Sequence, residues 1–249
     1  MNKIRLMPVG SLESIRHLYD TIINPVKKNL IKNYISKEDI LEISKISQGE
    51  EVAIWGLEPG KNNNQVWSNL EKGEILIFVP SNQDLIISEL IYKVKNKGLA
   101  EKLWGISERS GQLWEMLLFV KIRTFINLDK RKLLTDLGYE INDNLQGNRE
   151  VTDKFLEEYG SINSFIEKYH KEDINWDYFK NITPEEMFKR NVSGSSVVGG
   201  LTRSEREELK SLNEEITKLE NLEGVPGFPN KEQIEEKKRR KSELEKKQV

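Results

Sequence analysis

Cysteine is absent from this chain of 249 residues. That excludes a disulfide framework, a thiolate zinc site and a cysteine nucleophile. Histidine occurs only twice, as His17 and His170, and neither stands beside a second cluster of metal-type ligands. A His-Asn-His nuclease, a His-based triad and a His-rich metal site therefore all lack parts. The G-x-x-x-x-G-K-[ST] phosphate loop is missing. So is a strand-borne Asp followed by Glu-x-Lys, the pattern that holds Mg²⁺ in two-carboxylate nucleases. No apolar run approaches the roughly 20 residues of a membrane span, and residues 1–20 lack the uninterrupted apolar core of a signal peptide. The expectation is a cytoplasmic chain with no membrane contact and with no catalytic residue, metal or cofactor of its own. A strong excess of positive charge is also lacking: the net charge is −2. This argues against a bulk nucleic-acid coat but leaves room for a local basic groove. Charged residues make up 32% and hydrophobic residues 37%, the composition of a real core joined to a long solvated segment.

What is present changes period along the chain. Residues 3–9 read as a strand ending in a turn at Pro8 and Gly10. Ser11 caps a helix whose apolar face is Leu12, Ile15, Leu18, Tyr19 and Ile22. Ser36 opens a second short helix. Strands are expected over residues 51–56, 75–79, 85–94 and 114–123. Residues 56–65 form a loop of turn-formers, with one helical turn at 66–70 and a short helix at 98–104. Several strands with short helices between them predict an α+β fold, a small curved or partly open β-barrel with flanking helices. After Thr124 the periodicity is helical, with Thr152 and Thr183 as N-terminal cap signals. The division this implies is a recognition domain over 1–125, a helical extension over 126–191, a flexible linker over 192–200 and a charged helical tail over 201–249. In that tail Leu209, Leu212, Ile216 and Leu219 follow a 3-4-3 spacing, one coiled-coil-like seam. The last helix, capped by Asn230, has too few apolar positions (Ile234 and Leu244) to pack well. Where the tail ends, it reads as the start of a connector to a further domain or as a surface that recruits one.

The positive signal is tryptophan. Trp55, Trp67, Trp104 and Trp114 fall in the strand-rich part. An indole has an apolar body to bury and an N–H to satisfy. Trp55 and Trp104 are each followed by glycine, which leaves room beside a ring. Two readings stand side by side: core aromatics, or a cage of two or three rings around a flat ligand. Flat rings stack on nucleobases for roughly 1–3 kcal/mol each, and extrusion of a base costs less when it is damaged or modified. Amides and hydroxyls in the neighbouring loops, Asn64, Ser81 and Asn82 among them, are candidates for reading a base edge. Lys61, Lys93, Lys95 and Arg109 are candidates for phosphate contacts, with a lysine-guarded sheet edge as the bland alternative.

The order Trp55-Gly56, Trp67, Gly73-Glu74, the apolar strand 75–79, Leu103-Trp104-Gly105 and then Gly111 to Trp114 resembles the EVE/YTH-like branch of the PUA-like superfamily. It is similar in particular to the recognition domains of modification-dependent restriction systems, McrB-like (type IV) or EVE-HNH-like. The opening strand RLMPVGS fits the same pattern, and the resemblance covers about residues 1–125. Val79-Pro80 departs from it by standing where Tyr is frequent, and residues 11–47 place helices ahead of the Trp55 strand. The resemblance implies a reader of a modified base in double-stranded DNA, which flips that base into an aromatic pocket on behalf of a restriction or phage-defence system. Cleavage would then come from a fused or partner nuclease. Two alternatives stay open: an RNA-binding PUA-like protein, and an interaction protein that self-associates through residues 201–249.

Overall fold

The computed structural model describes residues 2–47, 49–140, 143, 145–171, 174–192, 211–212, 215–216 and 231–246. The first compact unit spans Met1–Phe188 and the second Lys189–Val249. The first is an α+β unit around a seven-stranded mixed sheet. In chain order its elements are β1 (Ile4–Pro8), α1 (Leu12–Leu18) running into a π-helical turn (Tyr19–Ile23), β2 (Val26–Lys27), α2 (Lys28–Ile31), α3 (Lys37–Ile46) and β3 (Glu51–Leu57). Then come α4 (Lys61–Asn69), β4 (Ile75–Val79), β5 (Asp84–Lys95), α5 (Lys97–Trp104), β6 (Met116–Asn127), α6 (Lys130–Asp136), β7 (Arg149–Glu150), α7 (Thr152–Tyr159), α8 (Ile162–Tyr169), α9 (Trp176–Lys180) and α10 (Pro184–Val192).

The strand order is β2-β3-β6-β5-β4-β1-β7. β1 runs parallel to β4, and the other pairings are antiparallel. The long β5–β6 pair carries register shifts at Ile87/Ser88 and Leu90/Tyr92. Such irregularities bend a strand and increase its twist, so the sheet curls rather than lying flat. Period-2 alternation assigns the two faces. Ala53, Trp55, Leu57, Leu76, Phe78, Met116 and Leu118 face one core together with Ile15, Leu18, Ile22 and Phe179. Behind the sheet, Ile4, Leu6, Ile75 and Ile77 pack under α6–α8. Val52, Ile54, Leu117 and Phe119 pack behind it with Ile43 of α3 and Leu99 of α5. Burial on both faces is why β4 reads as an unbroken apolar run.

The caps follow the sequence with one exception. Ser11 and Ser14 form a reciprocal capping box, with both backbone-to-hydroxyl distances at 3.0 Å, and Ser36 Oγ accepts from Asp39 N–H at 3.0 Å. Thr183 and Glu186 form a second box. Thr152 instead accepts the N–H of Ile4 at 2.9 Å, so its hydroxyl serves the edge of β1 rather than its own helix. The expected loop at 56–65 is another departure, because helix α4 begins at Lys61. Three consecutive asparagines, poor helix formers, hid it. The helices between 130 and 188 lie in the same compact unit as the sheet, and β7 adds a strand where only helix was expected.

In the second unit α11 (Lys231–Lys246) forms where the Asn230 cap placed a helix. Ile234, expected to pack poorly, is buried, as is Ile216. Lys237 Nζ sits 2.6 Å from the Glu215 carboxylate. Of the proposed seam, Leu212 and Ile216 are described, while Leu209 and Leu219 lie outside the described residues; of the linker expected over 192–200, Val192 ends α10 and residues 193–200 lie outside the described residues. Among the described residues no helix is long and apolar enough to cross a membrane.

Candidate nucleic-acid interface

Two adjoining hollows open on the α1 side of the sheet. The larger, of about 460 Å³, is lined by Pro8, Ser11, Trp55, Glu58, Asn63 and Trp114, with residues 145–148 completing it. The smaller, of about 340 Å³, is lined by Glu13, Arg16, His17, Asp20, Trp104 and Ile106, among others. Ser11 and Arg109 border both. Pro8 ends β1 and Trp55 sits in β3, with β6, β5 and β4 between them in the sheet. Only a curled sheet brings both strands to one hollow.

An aromatic cluster forms the wall between the hollows. Trp55 meets Trp114 edge to face at 5.5 Å between centroids and Phe78 at 5.3 Å. His17 stacks on Trp104 at 5.1 Å and meets Trp114 edge-on at 4.6 Å. Trp55 is only 2% exposed, so it forms the floor, whereas Trp104 and Trp114 are half-buried and present surface to the hollows. Gly56 makes the cluster possible. A Cβ there would lie 2.7 Å from Trp104 Cζ3 and 2.8 Å from the Trp114 carbonyl. The glycine after Trp55 thus clears space for Trp104 and Trp114 rather than for the Trp55 ring.

Polar groups around the cluster divide into used and free. The two serine hydroxyls at the mouth are committed to the α1 cap. Asn63 donates its amide to the Glu58 carbonyl at 3.0 Å, and Ser110 Oγ donates to the Glu58 carboxylate, holding that side chain at the rim. His17 Nδ1 and the indole nitrogens of Trp104 and Trp114 are buried without a hydrogen-bond partner. Burial pushes the His17 imidazole down to about 4, against the opposing pull of Glu13 and Glu58; it is neutral at physiological pH.

The sequence-nominated residues separate into three groups. Trp55, Trp104, Trp114 and Arg109 come together at the hollows. Trp67 forms a second centre with Lys93 and Lys95, whose ammonium groups stand 4.6 and 5.0 Å from its ring. Lys93 also donates to the Trp67 carbonyl at 2.6 Å, so it fastens the end of α4 to β5. Burial pushes its ammonium down from the ordinary lysine range. Lys61 and Asn64 are exposed on the first turn of α4 and line neither hollow. Ser81 is buried, bonding the Asp84 carboxylate at 2.6 Å and accepting two backbone N–H groups, so it builds the β4–β5 turn. Asn82 offers its carbonyl to Lys130 N–H at 2.7 Å.

Sequence reasoning missed His17, Glu58 and the 145–148 loop. The signal for His17 was in α1: Ser11, Ser14, His17 and Thr21 form an uncharged polar stripe at helical spacing, separate from the charged Glu13, Arg16 and Asp20. Of these Ser14, His17 and Thr21 are buried. Of the helices ahead of the Trp55 strand, α1 with its cap and the start of the π-helical turn supplies one wall of both hollows, while α3 packs behind the sheet.

No protein-family model matches the chain, and no curated protein matches it. Among solved structures, it is similar to the N-terminal domain of Thermococcus gammatolerans McrB bound to m5C DNA. The TM-score is 0.52 at 15% identity, and the match covers 66% of this chain and 99% of that one. At that identity the likeness is one of fold: the chain has the α+β fold of this McrB domain, in keeping with the curved sheet and flanking helices that the succession of strands and short helices predicted.

Proposed function

We propose that this chain reads a modified base in double-stranded DNA for a restriction system. In this reading a base leaves the duplex and enters the larger hollow. There the open surface of Trp114, backed by Trp55, supplies an aromatic contact. Glu58 and Asn63 stand at the edge of that hollow, where a base would present its donors and acceptors. Arg109, exposed between the hollows, suits a phosphate beside the extruded nucleotide. The observation that carries the reading is the tryptophan-walled hollow in a fold shared with a domain whose solved structure holds m5C DNA. The smaller hollow, the Trp67 centre and the lysines around it then belong to the DNA-facing surface or to the scaffold, and cleavage falls to a fused or partner nuclease.

The test is equilibrium binding of short duplexes that differ in one base: unmodified, N6-methyladenine, 5-methylcytosine and 5-hydroxymethylcytosine, with RNA of the same sequence alongside. A preference of at least ~10-fold, about 1.4 kcal/mol, for one modified duplex supports the reading. It should weaken in a folded Trp114→Phe variant, whereas Arg109→Ala should weaken all the duplexes alike. Equal binding to all duplexes, or preference for RNA, overturns it.

A further inference from the structure

A base drawn out of a duplex leaves a gap in the stack, and proteins that unstack DNA commonly fill such gaps with an apolar wedge. Two large apolar side chains are markedly exposed among the described residues, Leu41 at 60% and Ile106 at 59%. A scattered surface apolar residue is ordinary. Leu41 fits that description: it lies on α3, which packs behind the sheet. Ile106 differs in three respects. It borders the smaller hollow beside Trp104. Arg109, three residues on, borders both hollows. The loop that carries it is closed on itself. The chain leaves α5 at Gly105 with φ +72°, and Ser107 is buried. Ser107 N–H donates to the Gln112 carbonyl at 2.9 Å, and Gly111 N–H donates to the Ser107 carbonyl at 2.8 Å. Ser110 ties the loop to Glu58. An apolar tip held in this way loses little further conformational freedom when it inserts.

Resting on the base-extrusion reading, we propose that Ile106 is the wedge that enters the duplex in place of the extruded base, with Arg109 holding the adjacent backbone. The wedge acts only where there is a stack to fill. Its loss therefore weakens binding to duplex and leaves binding to single strands untouched.

The experiment measures wild type, Ile106→Ser, Ile106→Phe and Leu41→Ser against the four duplexes named above and against the corresponding single strands. Unchanged melting and near-ultraviolet dichroism verify the fold. The expected result is a loss of about tenfold or more for Ile106→Ser on the preferred duplex. Its binding to the modified single strand stays at the wild-type level, Ile106→Phe retains duplex binding, and Leu41→Ser behaves as wild type throughout. If wild type prefers a modified duplex and Ile106→Ser binds that duplex equally well, the wedge is wrong and the reader stands. Equal losses on duplex and single strand overturn the wedge as well, making Ile106 part of a pocket wall. If wild type distinguishes neither duplexes nor strands, the reader reading fails and the wedge falls with it.

Discussion

Gly56 and His17 carry the candidate site at the level of single residues. An added methyl at Gly56 meets the Trp114 carbonyl at 2.8 Å and its Cβ at 2.9 Å, two residues ahead of β6. Overpacking of this kind costs about 1–3 kcal/mol. Gly56→Ala should therefore lower the melting temperature and also reduce any preference for a modified duplex, since Trp104 and Trp114 must both shift. His17 gives the chain a pH signature. Its imidazole titrates near 4 when folded, against 6.5 in the unfolded chain, because burial disfavours the cation. Between those values the unfolded chain binds a proton that the folded chain refuses. The stability is thus complete above pH 6.5 and is lost as pH falls toward 4. Urea unfolding at pH 7 and pH 5 should show about 2 kcal/mol more loss in wild type than in His17→Asn.

Between elements, the links that position α1 are backbone carbonyls caught by side chains. The Tyr19 hydroxyl reaches the carbonyls of Phe179 (2.7 Å) and Lys180 (3.0 Å) and also that of Ile182, clamping the α9–α10 turn against the end of α1. Thr21 Oγ sits 2.5 Å from the Ile54 carbonyl, fastening the π-helical turn to β3. Removing the Tyr19 hydroxyl leaves these carbonyls without that donor, a loss of about 1–3 kcal/mol. Tyr19→Phe should melt earlier, with amide exchange rising first in residues 176–188. The capping serines and the buried strand β4 were legible in advance because each is a local event, a hydroxyl three residues from an N–H or a run of apolar side chains. Helix α4 was not, because the carbonyls of its last turn are held by Lys93, which comes 26 residues after Trp67.

At the scale of the whole chain, the compact unit ending at Phe188 contains the sheet, its helices and both hollows. A chain ending there should fold and keep whatever base preference the full chain has. If preference is lost on deletion while the fold is kept, residues 189–249 take part in recognition; self-association lost on the same deletion, with no DNA binding by the full chain, favours the interaction reading of the tail. With a net charge of −2, any DNA affinity must come from local cations. Arg109→Ala should then make the dependence of log affinity on log salt shallower by about 0.9, the effect of one phosphate. It should weaken modified and unmodified duplexes alike.

The sequence by itself determined the alternation that puts Trp55 and Leu57 on one face of β3, the glycine beside Trp55, and the order of strands and short helices. Those features depend on neighbours in the chain. Tertiary structure decided which tryptophans meet. Trp104 and Trp114 meet at His17, and Trp55 meets Trp114, in a sheet whose β5–β6 irregularities make it curl, while Trp67, equally prominent in the sequence, is carried by α4 to a pair of lysines. Spacing along a chain fixes which face a side chain takes. Only the curvature of the whole sheet fixes which faces come within reach of one another.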